Sequence, residues 1–330
     1  MKIDVNKTED GTDMERAWAR EANPIIQETI RVAIQRLTRS GRAGVTKKHI
    51  LKVLFLAREN LPDNNHIKHH LAYYWYREGP YSEVVYANLD QMIDSGLVKV
   101  HKTDKSETYK IVSELTMRPV ASGADLDAAR REIGLVASDN PSVHDAVRHT
   151  YEMAPFKWYI TYNLEFKPQF EVYCKNVLTS REGVHTDHDI LERLDDSVLD
   201  YPTIPEFMEH RMVFMDFAKM ANAFLRRNSH HTSKNIVEWL PVLCADIWDA
   251  FASGVRVHHH DPQYDSHLGK WREMYDKVLD KLEYKINKCM EQFGDVSVNE
   301  LDLDPEIEDM ILHPGNHVFI PLSLDVVKDR

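Results

Sequence analysis

The sequence predicts a mainly α-helical protein with a β-hairpin in its N-terminal third. Apolar residues recur every three or four positions through most of the 330-residue chain, which is the spacing of amphipathic helices. Residues 97–112 instead show β-branched and aromatic runs on either side of a turn-forming stretch, as a hairpin does. A hydrophobic content of 43% with 28% charged residues is typical of a globular protein.

Three helices are predicted ahead of the hairpin, over residues 47–60, 66–77 and 82–95. Thr46 and Ser82 stand at N-cap positions, where a side-chain oxygen accepts a backbone N–H of the first turn. Gly79-Pro80 ends the second helix, and Gly96 supplies the backbone freedom that a helix end commonly uses. The segment therefore reads as three helices followed by a two-stranded wing.

This order of elements resembles the winged helix-turn-helix superfamily of DNA-binding regulators, over about residues 45–114. The Gly-Pro-aromatic-Ser step at 79–82 and the Gly-Leu-Val exit at 96–98 are also similar to some prokaryotic winged-helix and antitoxin-type proteins. The resemblance implies an N-terminal winged helix and a transcriptional regulator or antitoxin-like repressor that binds double-stranded DNA. Such regulators commonly bind as dimers, so we expect a homo-oligomer.

Four segments are predicted along the chain. Residues 1–43 form an N-terminal extension with a basic amphipathic helix, 44–118 the winged-helix domain, 119–294 an all-helical domain for oligomerisation or sensing, and 295–330 an acidic tail. Linker-like composition near Gly123 marks the boundary after the wing. The helices expected beyond it cover residues 125–137, 142–153, 156–177 with a break near Pro168, 187–199, 205–227, 234–253 and 267–293.

Charge is distributed unevenly between the two ends of the chain. The net charge is −12, but residues 1–120 carry 19 basic against 16 acidic residues, so the acidic excess lies beyond them. We therefore expected cationic side chains near the wing to contact DNA phosphates. The predicted DNA-binding residues are Lys68, Arg77, Ser82, Tyr86, Asn88, Gln91, Lys99, Lys102, Lys105, Lys110, Arg31 and Arg39.

The predicted recognition helix also presents a difficulty for DNA binding. Between Ser82 and Ser95 there is no Lys or Arg, and Glu83, Asp90 and Asp94 mark an acidic side that would repel phosphates. The alternative is a protein-interaction adaptor that uses the winged helix as a docking module. The acidic stretch 295–309 of the tail is interpreted either as a solvated segment or as one that folds over the basic N-terminal surface and competes with DNA. Residues 317–322 fit a short edge strand.

Enzymatic activity is the less favoured class. No Gly-rich phosphate loop, nucleophile elbow or paired Cys motif is present in the sequence, although scattered catalytic residues leave no local pattern. Arg226 and His231 resemble the Arg-x4-6-His motif of HEPN-type helical ribonucleases, which is the less favoured alternative. We expected no cofactor and no metal, because the histidine groups at 66–70, 185–188 and 258–260 consist of near neighbours rather than ligands from separated segments.

The remaining patterns predict core residues and location. Cys174, Cys244 and Cys289 each lie in an apolar helical pattern and are expected to be reduced core residues, with a shared metal site or disulfide as the alternative. An aromatic series at helical spacing is a core stripe or the wall of a ligand pocket: Tyr159, Tyr162, Phe166, Phe170 and Tyr173. The first residues lack an apolar signal sequence, so we expected a cytoplasmic protein.

Overall fold

A computed structural model describes residues 22–39, 44–102, 107–111, 123–179, 188–226 and 233–293. These residues are mainly helical and include two short antiparallel hairpins. The chain divides into two compact units: unit 1 comprises Met1–Met153 and His258–Lys270, and unit 2 comprises Ala154–Val257 and Trp271–Arg330. The predicted mainly α-helical class is confirmed.

Six helices of unit 1 lie within the described residues: α1 (Pro24–Thr38), α2 (Lys47–Asn60), α3 (His66–His70), α4 (Glu83–Asp94), α5 (Ala124–Asp139) and α6 (Val143–Glu152). Side chains cap five of these six N-termini, including the two caps predicted from the sequence, whereas Gly123 before α5 provides no side-chain cap. Thr46 Oγ1 accepts from the His49 N–H at 3.2 Å, and Ser82 Oγ accepts from the Val85 N–H at 3.3 Å. Each cap satisfies a backbone donor that the helix itself leaves without a partner.

The helix predicted over residues 66–77 is wrong beyond His70. The following aromatic run forms strand β1 (Tyr74–Tyr76), which pairs antiparallel with β2 (Gly79–Tyr81). Aromatic side chains favour strands, and Gly79 adopts φ 86°, which closes the tight turn before β2. The buried Lys52 ammonium holds this turn by donating to the carbonyl oxygens of Glu78 and, at 3.1 Å, Pro80.

A distant segment of unit 1 lies against the other edge of β1. The Trp75 N–H donates to the His259 carbonyl at 2.9 Å, and the Asp261 N–H donates to the Tyr73 carbonyl at 2.8 Å. Residues 259–261 therefore extend the β1–β2 hairpin by a short antiparallel bridge. Nearby, the buried Tyr264 hydroxyl accepts from the Glu83 N–H at 3.1 Å, which satisfies a donor at the start of α4.

The second hairpin is the one that the sequence predicts. Strand β3 (Val98–Lys102) pairs antiparallel with β4 (Glu107–Ile111), and the turn between them lies outside the described residues. Gly96, at φ 74°, ends α4 in the backbone conformation expected of it. Val45 forms a further antiparallel bridge with Tyr109, so β4 has pairing partners on both edges.

The core of unit 1 extends beyond the predicted winged-helix segment. Helix α5 packs against α1 and α2, and α6 packs against α2. Buried Glu28 of α1 receives hydrogen bonds from Arg31 and from Arg130 of α5. Burial alone raises the pKa of Glu28, but these two guanidinium groups outweigh it and leave the pKa lowered. The boundary predicted near residue 119 thus falls inside unit 1, because α5 and α6 complete its core.

The helices of unit 2 agree closely with the predicted set. They are α7 (Trp158–Ile160), a π-helical segment (Thr161–Phe166), α8 (Lys167–Thr179), α9 (His188–Leu199), a 3₁₀ turn (Pro205–Phe207), α10 (Met208–Arg226), α11 (Lys234–His258) and α12 (Leu268–Phe293). The last residue of α11 and the first three of α12 belong to unit 1. The helix break predicted near Pro168 is wrong, because the π-helical segment continues directly into α8.

The aromatic series of unit 2 forms a core stripe. Trp158, Tyr162 and Phe166 are fully buried, and the Trp158 indole stacks on the Tyr162 ring with centroids 4.2 Å apart. Trp158 Nε1 donates to the Ser197 carbonyl at 2.8 Å, so the polar atom of the indole is satisfied inside the core. The core interpretation of the series is confirmed.

The three cysteines are buried and free, as predicted. The Tyr162 hydroxyl donates to the Cys244 carbonyl at 2.8 Å and lies 3.2 Å from its sulfur. Burial raises the pKa of the Cys244 thiol to about 12, so the thiol stays protonated near neutral pH.

Among the described helices, none is both long and apolar enough to cross a bilayer.

Candidate functional site

The α4 surface consists of the exposed side of α4 together with the adjoining side chains of α2, β2 and the β3–β4 hairpin. Helix α4 buries Val84, Val85, Leu89 and Met92 against the core of unit 1. Its opposite side, which includes Asp90 and Asp94, is therefore turned to solvent. This is the helix that the resemblance identifies as the recognition helix.

Two of the predicted DNA contacts on α4 are buried in the structure. Asn88 has no exposed surface; its Nδ2 donates to the Val84 carbonyl at 3.0 Å and its Oδ1 accepts from the Asn23 N–H at 2.9 Å. Ser82 is also fully buried and serves as the N-cap. Both side chains join α4 to its own unit, and neither can meet a base edge without leaving these partners.

Tyr86 lies on the exposed side of α4 and is half-buried. Its ring stacks on the Tyr81 ring of β2 with centroids 4.7 Å apart, and the Lys47 ammonium lies 4.2 Å from its centroid. Burial is the main cause that raises the pKa of Tyr86 to about 12, with smaller contributions from Glu78 and Asp90. The two tyrosines therefore present a neutral, flat aromatic pair beside a cation.

The lysines around this aromatic pair are joined to carboxylates. Lys47 Nζ lies 3.2 Å from an Asp90 carboxylate oxygen, and Lys48 Nζ lies 3.0 Å from an oxygen of Glu78. On the hairpin, Lys102 Nζ lies 2.8 Å from an oxygen of Glu107. Each cation is thus neutralised locally, and the exposed carboxylate of Asp94 leaves the surface with an acidic excess.

One face of the β3–β4 hairpin differs from the α4 surface. Lys99 is paired in register with Lys110, and His101 with Thr108. Because alternate residues of a strand point to the same face, these four side chains share one face of the hairpin, and both lysines and His101 are exposed. That face contains no carboxylate among its four residues, so its charge is positive.

The other predicted phosphate contacts are engaged within unit 1. Arg31 pairs with Glu28 at 2.7 Å and donates to Gln35; Lys68 pairs with Asp63 at 2.9 Å; and the Arg77 guanidinium lies 5.4 Å from the Tyr76 ring. Gln91 accepts from Gln27 at 3.3 Å. Arg39 is exposed after the end of α1, and Lys105 lies outside the described residues. Among the described residues, Arg31 and Lys68 are therefore already paired with carboxylates of unit 1.

The structure describes only part of the Arg226–His231 pair and of the three histidine groups. Arg226 Nε donates to the Asn222 side chain at 2.8 Å, while His231 lies outside the described residues, as do the acidic tail and the 317–322 segment. Across the described ranges, no three His, Cys, Asp or Glu side chains come together as a metal site. His66 instead pairs with Asp125 of α5.

Sequence reasoning did not identify Lys47 and Lys48 as members of this surface. A signal was present, because both residues follow the N-cap Thr46 and so lie in the first turn of α2. Placing that turn beside α4, however, depends on tertiary packing that local patterns do not encode.

When the whole chain is compared with protein-family models, curated protein sequences and solved structures, no match is found.

Proposed function

We propose that unit 1 is a winged-helix-like protein-interaction module that docks a partner carrying basic side chains on the α4 surface. The order α1, α2, α4 and β3–β4, with Val45 paired to β4, supports this architecture. In this interpretation α3 and the β1–β2 hairpin are an insertion ahead of the recognition helix. The function belongs to the adaptor class rather than to the DNA-binding regulators.

The observation that carries this proposal is the local neutralisation of the lysines beside α4. Lys47, Lys48 and Lys102 each have a carboxylate within 3.2 Å, so a phosphate would have to displace a partner already present. The exposed carboxylates of Asp90 and Asp94 would add repulsion. A DNA-binding helix normally carries cationic side chains that are not paired with carboxylates. These side chains neutralise DNA phosphates and so release the counterions bound to the DNA.

The same features suit a protein partner. The half-buried Tyr81–Tyr86 pair offers a rigid aromatic contact of the kind enriched at protein interfaces. Asp90 and Asp94 provide the charge that would attract Lys or Arg side chains of the partner and fix its orientation. The partner is therefore expected to present a basic and partly apolar patch.

Affinity capture with the tagged full-length chain tests the proposal. We expect the Asp90→Lys/Asp94→Lys variant to lose at least one protein that the wild type retains, because the two new lysines would repel the basic patch of the partner. The matched control is Asp139→Lys/Asp189→Lys, which makes the same change in net charge at two other exposed positions. A capture profile that is identical for all three proteins contradicts protein docking at α4.

A DNA-binding regulator remains the second candidate function, because the positive face formed by Lys99, His101 and Lys110 is the usual position of a phosphate-contacting wing. Fluorescence anisotropy with a random duplex distinguishes the two. The docking proposal expects no saturable binding near ~0.15 M salt. Binding that weakens steeply with salt and is lost in Lys99→Glu/Lys110→Glu, but not in Asp90→Lys/Asp94→Lys, would replace it with the DNA-binding function.

A further inference from the structure

Unit 1 contains an open pocket of about 310 Å³ between α2, β1 and the segment that extends β1. Its walls come from four parts of the chain, of which Met153 is one and residues 258–261 are the most distant in sequence. Helix α2 contributes Phe55, Arg58 and Glu59, β1 and the residue before it contribute Trp75 and Tyr73, and residues 258–261 close the third side. A pocket of this size accommodates a small organic molecule rather than a macromolecule.

One wall of the pocket is aromatic. The Phe55 ring lies edge-on to the Tyr73 ring and to the Trp75 indole, with centroid separations of 5.3 and 5.6 Å. Tyr73 and Phe55 are buried, while Trp75 is half-buried. The Met153 thioether also lines the pocket. Together these groups form an apolar, polarisable surface whose ring faces carry partial negative charge.

The only guanidinium in the lining is directed toward protein acceptors. Arg58 Nη2 donates to both carboxylate oxygens of Asp261, at 2.7 and 2.8 Å, and Nη1 donates to Glu59. Its Nε donates to the Lys68 carbonyl at 3.3 Å. With its donors used in this way, Arg58 is poorly placed to bind an anionic ligand, and its role is to fix the two carboxylates.

The charges of the lining favour a cation. Arg58 contributes one positive charge, and Glu59 and Asp261 contribute two negative charges. Burial, followed by the neighbouring histidines His258 and His260, lowers the pKa of His259 to about 4, so this ring is neutral at neutral pH. An anionic ligand would meet a carboxylate excess, whereas a cationic ligand would neutralise it.

We propose that this pocket binds a small organic cation that carries an apolar group, such as an aryl or alkyl ammonium. The ammonium would lie against the Trp75 and Phe55 rings beside the Glu59 carboxylate, where cation–π and ionic attraction act together. The apolar group would contact Met153 and the remaining aromatic surface. This site is separate from the proposed partner-docking surface, since the pocket and the α4 surface share no residue, although α2 contributes different side chains to each.

Isothermal titration calorimetry on the full-length chain tests the site with benzyltrimethylammonium as the probe. Benzyl alcohol is the neutral comparison and benzoate the anionic one, since all three share the phenyl ring. We expect the ammonium to bind at least about tenfold more tightly than either, which corresponds to about 1.4 kcal/mol, because only the ammonium combines the phenyl ring with cation–π and ionic attraction.

Two variants locate the binding site on the protein. Glu59→Gln keeps the shape of the side chain but removes its charge, and Trp75→Leu removes the indole; each is expected to weaken ammonium binding about tenfold. Asp139→Asn is the matched control, because it removes an exposed carboxylate at the end of α5, outside the pocket, and should leave the affinity unchanged. Circular dichroism of each variant verifies its fold, and Glu59→Gln decides the result if Trp75→Leu does not fold.

Three results would overturn the proposal. These are the absence of measurable heat for the ammonium, equal affinity for the ammonium and benzyl alcohol, and equal loss of affinity in Glu59→Gln and Asp139→Asn. None of them bears on partner docking at α4, which the capture experiment addresses independently.

Discussion

The two units differ in the surroundings of three core rings of unit 2 and two partly exposed rings of unit 1. In unit 2, Trp158, Tyr162 and Phe166 are fully buried and contact one another in the interior. In unit 1, Tyr86 and Trp75 are half-buried and lie beside charged groups, one next to Lys47 and the other in a pocket with Glu59. Aromatic residues therefore stabilise the interior of both units, but in unit 1 Tyr86 and Trp75 also keep part of their rings exposed to solvent beside charged groups.

This contrast shows why aromatic content alone does not distinguish core from binding surface. What distinguishes the two cases is the set of groups that surround each ring. A ring surrounded by other rings and by satisfied polar atoms contributes mainly through burial, while a half-buried ring beside an ion retains a face for a ligand. Five substitutions test the differences between the units, from the largest expected effect to the smallest.

Truncating the central ring of unit 2 should have the largest effect. We expect Trp158→Ala to lower the free energy of unfolding by about 4 kcal/mol, because it leaves a large cavity and an unpaired Ser197 carbonyl. Tyr86→Ala should lower it by only about 1 kcal/mol, since half of that ring is already in contact with water. Denaturant titration followed by circular dichroism measures both, and equal losses would remove the distinction between the units.

The buried histidine of unit 2 should give the next largest effect. His210 Nε2 donates to the Ile247 carbonyl at 2.9 Å and Nδ1 accepts from the Tyr201 hydroxyl at 2.6 Å; burial lowers its pKa from 6.5 to about 4. The unfolded chain then binds more protons between those two pH values, so stability rises with pH across that window and is lost on acidification.

His210→Gln retains a donor for Ile247 but cannot titrate. We expect the pH 4 to 6.5 rise in unfolding free energy to be smaller in the variant by roughly 3 kcal/mol. The lowered pKa of His259 in unit 1 acts in the same window in both proteins and cancels in the difference. Identical pH profiles for the two proteins would show that His210 is protonated as readily in the folded chain as in the unfolded chain.

The buried lysine of unit 1 should give a smaller pH dependence at higher pH. Burial, with a lesser contribution from Lys48, lowers the pKa of Lys52 from 10.5 to about 7. Above pH 7 the unfolded chain holds the proton more tightly, so stability should rise between pH 7 and 9. Relative to Lys52→Met, the wild type should gain on the order of 2 kcal/mol over that interval. If the free energy of unfolding of the wild type and of Lys52→Met changed in parallel between pH 7 and 9, this prediction would be contradicted.

The smallest effect is expected on the α4 surface. Asp90→Asn removes one exposed ion pair, and such pairs contribute about 0–1 kcal/mol, so thermal stability should change little. The substitution nevertheless should weaken partner capture. A loss of stability above about 2 kcal/mol would indicate instead that Asp90 holds unit 1 together, and would remove the basis for treating this side of α4 as a recognition surface.

Elements with complete local signals were predicted correctly from the sequence. Thr46 and Ser82 cap their helices as expected, and the β3–β4 hairpin lies where β-branched runs flank a turn. The helix over 66–77 was wrong because Ile67 and Leu71 match helical spacing, while the aromatic residues after them pair as a strand. In this short segment the two patterns overlap, and tertiary contacts decide between them.

The candidate sites were harder to predict than the fold. Asn88 was assigned to DNA, although its spacing from Val85 and Met92 puts it on the buried side of α4. The pocket left no local signal at all, since Arg58 and Asp261 are 203 positions apart. Motif reasoning detects groups that are neighbours in sequence, and this pocket is assembled from groups that are neighbours only in the fold.

The Arg58–Asp261 pair also has a consequence for the order in which the protein is assembled during synthesis. Residues 154–257 stand between the two parts of unit 1, so a ribosome must complete that whole stretch before Asp261 can reach Arg58 and the Tyr73 N–H. Until then the outer edge of β1 lacks its hydrogen-bonding neighbour, and exposed strand edges are where nascent chains associate wrongly. This edge of β1 therefore stays without that partner for as long as translation takes to cover those residues.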